Sequence, residues 1–251
     1  MGIMFSDDGH AEDIITYERG SIPYAAKGGR TDDHRLESFP DRLDLRVTRC
    51  QPYLMIEDQG DSVSCVSHAF SMAYYCALRN IGANEAFIYP QTDKLYHAAL
   101  ADSSDQKRGV SFSAVARHLR NHFQDSFASH DLQIFHLPNE RMDIKSALVA
   151  GYPVIVGYQV NPDIEKFHKH ANVCKYHAYI LPRFATNPEA VSAHTVLLIG
   201  YDDSVDSFIA RNSWGSDWGV DGHFLIRYGD IENEDFFTDI VVIRPQHESA
   251  S

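Results

Sequence analysis

The chain has 251 residues, 44% of them hydrophobic, and a formal charge of -13 at pH 7. That is enough apolar material for one large domain or two small lobes. The acidic balance excludes a protein built to hold a phosphate backbone, which needs a basic face, so no nucleic-acid partner is expected. Protonating all 14 histidines would move the charge from -13 to +1, so solubility should differ between neutral and acidic surroundings.

The first twenty residues, MGIMFSDDGHAEDIITYERG, have neither a basic start nor a long apolar run, so no secretory signal peptide is read there. A cytoplasmic or otherwise reducing compartment is the expectation, and a virion or host-cell setting is compatible with it. Met1-Gly2 with Ser6 matches the N-myristoylation pattern at Gly2, a pattern short enough to arise by chance. No run of 18 apolar residues occurs, so no transmembrane segment is expected. Residues 1–38 are polar and aperiodic and read as an N-terminal extension, a short pro- or regulatory segment. Within it Ile15, Tyr17, Ile22 and Tyr24 cluster around Pro23, which suits a segment lying extended along a groove and restraining it. A flexible tail is the alternative.

The main domain is read over 39–251, beginning at FPDRLDLRV. Residues 65–79 carry Val66, Ala69, Phe70, Ala73 and Ala77 on one stripe, which predicts a helix, with Ser62 and Ser64 available as N-terminal caps. A second helix is predicted in SFSAVARHLRNHF, and a third in MDIKSALVAG, ended by Gly151. The second half changes character. PVIVGYQV, HTVLLIGY, DSFIARNSW, GHFLIRY and TDIVVIR are short β-branched or aromatic runs divided by turn clusters such as DDSVD. Helices first and strands later make an α+β protein in two lobes.

The chemistry concentrates in two stretches, EDQGDSVSCVSHAFS (57–71) and AHTVLLIGYDDSVDSFIARNSWGSDWG (193–219). Taken alone, Cys65 reads as a small buried hydrophobe. His194, however, opens one strand and Asn212 closes the next. An antiparallel hairpin through residues 202–206 brings both to the same end, within hydrogen-bonding reach. A thiol at a helix N-terminus has its pKa lowered by the helix dipole, and a neighbouring imidazolium lowers it further. An asparagine amide fixes the ring's tautomer and orientation. Gln59, six positions ahead of Cys65, could turn its side-chain amide to an oxyanion beside the Cys65 N–H. Rival histidines are His68, on the Cys65 helix and expected to point away from the cleft, and His177, which lacks a downstream asparagine.

Cys50, Cys65, Cys76 and Cys174 form no CxxC pair, and four free thiols are expected. His168, His170, Cys174 and His177 have ligand chemistry, but their spacing matches no zinc pattern, so neither metal nor other cofactor is expected.

Gln59-Gly60, Ser64-Cys65, Ala69-Phe70-Ser71, His194 with VLLIGY after it, and NSWGSDWG together resemble a papain-family cysteine peptidase, over roughly residues 39 to 244. DLR at 44–46 and DIKSALVAGYPVIVGYQV fit the same pattern. The resemblance implies a helical N-terminal lobe carrying the nucleophile helix and an antiparallel, barrel-like C-terminal lobe carrying the histidine and asparagine. It implies catalysis by Cys65, His194 and Asn212 with Gln59 in the oxyanion hole. Trp214 is implied to cover the His194–Asn212 contact and Trp218 to belong to the same motif. Gly109, in KRGVSFS, reads equally as a place where a substrate backbone approaches as an extra edge strand or as a plain helix-leading turn. There are departures. The family usually writes Cys-Gly-Ser-Cys-Trp-Ala-Phe, whereas this chain has Ser62-Val63-Ser64-Cys65-Val66-Ser67-His68. The family disulfide that starts at the first of those cysteines cannot form through Ser62. The long helical pro-segment of lysosomal members is missing from the forty residues ahead of the domain.

The expected function is therefore a cysteine-type endopeptidase acting on a peptide or protein substrate. A catalytically silent peptide- or partner-binding module is the alternative from another class, and a Cys-triad acyltransferase or deubiquitinase uses the same chemistry on other acyl groups. Retention of all four chemical residues speaks against the silent module. Oligomeric state is not legible.

Overall fold

A computed structural model describes residues 15–16, 39–47, 55–83, 92–103, 109–160, 180–181 and 192–246. The first long helix, α1 (Cys65–Asn80), is where the molecule is organised. The sequence predicted one apolar stripe, yet every residue from Cys65 to Leu78 is buried. Neighbours on both sides explain this. Helices α2 (Thr92–Ala101) and α3 (Phe112–His122) pack against it on one side and the sheet on the other. Small residues between the large ones let these neighbours approach: Ser67, Ala69, Ser71, Ala73 and Ala77 alternate with Phe70, Met72 and Tyr74. Phe70 meets the edge of Phe112 at 5.4 Å between centroids, and Tyr74 stacks on Phe123 at 4.8 Å. Ser64 occupies the N-cap position, but neither predicted serine caps through its side chain. Their hydroxyls pair with each other at 2.6 Å instead. At α3 a side-chain cap does form, one the sequence reading had not singled out, with Ser111 Oγ accepting from the Ala114 N–H at 3.2 Å.

The sheet is built from β3 (Leu132–His136), β4 (Val154–Val160), β5 (Ser192–Asp202), β6 (Ser207–Arg211), β7 (His223–Arg227) and β8 (Phe237–Pro245). They lie in the order β3-β8-β4-β5-β6-β7, all antiparallel. A short strand β2 (Arg42–Asp44) pairs with the end of β5. The predicted hairpin between β5 and β6 turns through Asp203–Val205, with Asp206 in the left-handed region at φ 47°. β4 and β5 are buried almost throughout, which accounts for their continuous rather than alternating apolar runs. Three helices were missing from the sequence reading, α2, the short α4 (Gln124–Ser129) and a single turn at Tyr228–Ile231, as were β2 and β3. The third predicted helix, α5 (Arg141–Val149), forms, and Gly151 follows its C-cap Ala150.

Of the N-terminal extension, the two-residue strand β1 (Ile15–Thr16) pairs in parallel with Phe135–His136 of β3 at the outer edge of the sheet. The rest of it lies outside the described residues, including the Gly2 pattern and, apart from Ile15, the cluster expected to lie along a groove. So do Cys50, Cys174, His168, His170 and His177. Among the described residues no helix is long and apolar enough to cross a membrane, and no group of three His, Cys, Asp or Glu side chains is placed to hold a metal ion.

Gly200 marks where β2 crosses β5. A Cβ there would sit 2.2 Å from the Leu43 carbonyl oxygen and 3.0 Å from the Asp44 Cα. Both neighbours are backbone and cannot swing aside. Gly200→Ala should therefore lower unfolding stability by about 2 kcal/mol, the usual size of an overpacking cost. Urea unfolding checks this, and an unchanged midpoint would show that β2 is not held against β5 as described.

Candidate active site

Cys65 is the first residue of α1, and the loop ahead of it is fixed to the segment that follows β6. The Gln59 N–H donates to the Ser213 carbonyl at 2.8 Å, the Gly215 N–H donates to the Glu57 carbonyl at 3.0 Å, and Asp58 bridges Trp214. Gly60 turns the chain at φ 55°, a conformation a side chain rarely adopts. The Gln59 amide is oriented at both ends. Its Oε1 accepts from Ser213 Oγ at 2.6 Å, and its Nε2 donates to the Ser62 carbonyl at 2.7 Å. A primary amide carries two N–H bonds, so one remains to serve an oxyanion.

His194 stands on β5 opposite Tyr158 of β4, and Asn212 directly follows β6. Asn212 Oδ1 lies 2.8 Å from His194 Nε2 and 2.9 Å from the Ser213 backbone nitrogen. A backbone N–H only donates, so the atom facing it is the amide oxygen, and His194 Nε2 must carry the proton. Nδ1 is then the basic nitrogen of the ring. Trp214 stacks over His194 at 4.4 Å and 27°, and Tyr158 meets the ring edge-on at 5.8 Å. The imidazole is thus held between aromatic walls and is 5% exposed.

The electrostatics depart from the sequence expectation. Burial pushes the Cys65 thiol pKa up, and hydrogen bonds from the backbone and hydroxyl of Thr195 pull it only partly back. Burial also pulls His194 down to about 4, with the Asn212 hydrogen bond acting in the opposite sense. For each group, desolvation of the charged form outweighs the hydrogen bonds that favour it, so burial opposes the direction that the helix terminus gives.

Gln59, Cys65, His194 and Trp214 come together on the wall of one cavity of about 220 Å³, which Ser62 and Gly60 also line. Asn212 lies behind His194, out of the cavity. Two expected contributors are not on this wall. Trp218 packs edge-on against Trp214 at 5.3 Å and Phe224 at 5.4 Å, as a buttress. Gly109 has φ 89° and is buried ahead of α3. His68 does not turn to the cleft but bonds Glu57. Ser213, Ser62 and Thr195 escaped the sequence reading because their work is done through single hydroxyls and backbone groups. All three stand inside quoted stretches, but none was given a role in orienting the site.

A sequence profile described as papain family cysteine protease matches residues 74–240, more than half of the chain, and includes His194 and Asn212 but begins beyond Cys65. An uncharacterized peptidase C1-like protein of Acanthamoeba polyphaga mimivirus is 31% identical over 101 residues, 40% of this chain and 30% of that protein. A cathepsin B-like protein of Giardia intestinalis is 35% identical over 86 residues, 33% of this chain and 25% of its own length. The matches to these curated relatives thus span less than a third of their lengths. Xylellain, a cysteine protease from Xylella fastidiosa, superposes with a TM-score of 0.71 at 18% identity, over 98% of this chain and 96% of its own. The Carica candamarcensis cysteine protease solved in complex with E-64 gives 0.59 at 18% identity, over 83% of this chain and 100% of its own. These two likenesses establish the fold, an α+β arrangement shared across low identity.

His223, also buried, is likewise drawn down to about 4 by burial and by the nearby Arg46 charge. Unfolding returns both His194 and His223 to an ordinary value of 6.5. Between those values the unfolded chain binds protons that the folded protein does not. Stability is therefore fully present above pH 6.5 and is lost as pH falls toward 4. Urea midpoints should drop between about pH 7 and about pH 5, and His223→Gln should remove about half of that slope. A pH-independent midpoint would contradict the neutral burial of both rings.

Proposed function

The chain belongs to the papain family of cysteine proteases, and from that premise we propose that it hydrolyses peptide bonds with Cys65 as nucleophile, His194 as base and acid, Asn212 as the ring's anchor, and Gln59 with the Cys65 N–H as oxyanion donors. The observation that carries this reading is the tautomer of His194. With Nε2 donating to Asn212, Nδ1 is the nitrogen whose chemistry suits a proton acceptor, and Cys65 lies on the same cavity wall.

Cys65 Sγ attacks the scissile carbonyl carbon as its proton passes to His194 Nδ1. Charge that each group would carry alone at a cost is carried by both together, which offsets part of the desolvation penalty. The carbonyl electrons move to oxygen, where Gln59 Nε2–H and the Cys65 N–H receive them. The tetrahedral adduct collapses, His194 gives its proton to the leaving amine, and a thioester remains. Water, deprotonated by His194, attacks the thioester, and Cys65 leaves as thiol when the proton returns. Trp214 over the ring keeps water from competing for the His194–Asn212 bond.

Cys65→Ala should abolish peptide turnover and stoichiometric labelling by an epoxysuccinyl inhibitor, without loss of fold, because the substitution removes one atom at a cavity wall. Gln59→Ala should lower kcat by about 10²–10³, the usual effect of deleting an oxyanion donor. A fluorogenic peptide library measures both. Undiminished turnover by the alanine variant at Cys65 would refute the mechanism, and labelling without turnover of any peptide would favour a binding module.

A further inference from the structure

Glu57 lies outside the reaction just described, yet it meets each part that carries the reaction. Its Oε2 accepts from His68 Nδ1 at 3.0 Å, and His68 sits three residues past Cys65 on α1. The same oxygen lies 3.7 Å from Arg211 Nη2, and Arg211 is the residue before Asn212. Its Oε1 accepts from the Thr92 hydroxyl at 3.3 Å, at the start of α2. Its own backbone carbonyl holds the Gly215 N–H at 3.0 Å, and Gln59 follows two residues later. Arg211 is 1% exposed and is the largest fully buried side chain among the described residues. A guanidinium that deep requires an anion and hydrogen-bond acceptors. It finds them only in this segment as described: the Glu57 carboxylate, and the Met55 carbonyl, which accepts from Arg211 Nε at 3.0 Å and from Nη2.

The geometry points to Glu57 as a positioning residue, whose carboxylate locks the nucleophile helix, the Gln59 loop and the Asn212 strand into one register through His68 and Arg211. This rests on the peptidase reading above. The three anchors converge on one side chain, so a shift of the Glu57 segment moves Gln59 relative to Cys65. Displacing an oxyanion donor costs transition-state binding while leaving ground-state substrate contacts in place. The thiol's intrinsic reactivity toward a small alkylating agent needs no oxyanion hole. A purely stabilising role would lower the melting temperature and leave the turnover of folded enzyme alone.

Glu57→Gln keeps the side chain's size and removes its charge. We expect kcat for a fluorogenic peptide to fall about tenfold, with KM and the rate of Cys65 alkylation by iodoacetamide each changed less than about twofold. His68→Gln, which leaves the Glu57–Arg211 pair intact, should give the same split at about threefold, and it decides the matter if the Glu57 variant does not fold. A folded Glu57→Gln or His68→Gln enzyme with wild-type kcat and a lowered melting temperature would overturn the proposal. A wild-type protein that is alkylated normally but cleaves no peptide would instead end the peptidase reading, and this proposal with it.

Discussion

The pairing of residues 57–59 with residues 213–215 is the contact on which the site depends. Two backbone hydrogen bonds there, from the Gln59 N–H to the Ser213 carbonyl and from the Gly215 N–H to the Glu57 carbonyl, make the Asp58–Trp214 bridge and join the approach to α1 to the exit from β6. The two segments are some 150 residues apart in the chain, so closing that contact carries a large loop entropy, offset by the core around α1. Once it is closed, the amide of Gln59, the carbonyl of Ser213 and the ring of Trp214 share one frame. A helix buried on every face then sets Cys65 at the rim of that frame.

Much of this was legible in the sequence, for physical reasons that differ by element. β5 and β6 declared themselves because β-branched and aromatic runs flanked a polar turn, and that hairpin alone implied the His194–Asn212 contact. α1 was found from its stripe, but its full burial was not, because the stripe of Val66, Ala69, Phe70, Ala73 and Ala77 reports one packed face and is silent about the other. α2, in TDKLYHAALA, was lost among polar residues and buries only Thr92, Leu95 and Ala99. β3, a five-residue run, has no periodicity that separates it from a buried helical turn. Glycine roles were legible unevenly: Gly200 is required by a backbone crossing that no local pattern announces.

The electrostatic expectation failed for an instructive reason. A helix N-terminus is visible in sequence, whereas desolvation depends on what covers the site. Burial dominates at both Cys65 and His194, where Trp214 and Tyr158 pack on the His194 ring, and it reverses the direction that the helix end alone would give even though the Thr195 hydrogen bonds to Cys65 act the other way. The same enclosure gives a hydrogen bond such as that between His194 and Asn212 more weight than it would have in water.

Ser62 stands where relatives of the family usually carry a cysteine, and its hydroxyl donates to the Gln59 carbonyl at 2.7 Å while pairing with Ser64. The turn is thus fastened by a reversible bond of order 1 kcal/mol rather than a covalent one. Such a fastening has no reduction potential, so no oxidant is required to make it and no thiol reagent can undo it. It can be remade each time the chain refolds, with no isomerase to sort partners. In exchange, the turn gains no restriction of its unfolded ensemble, and its order in the native state rests wholly on the packing around it.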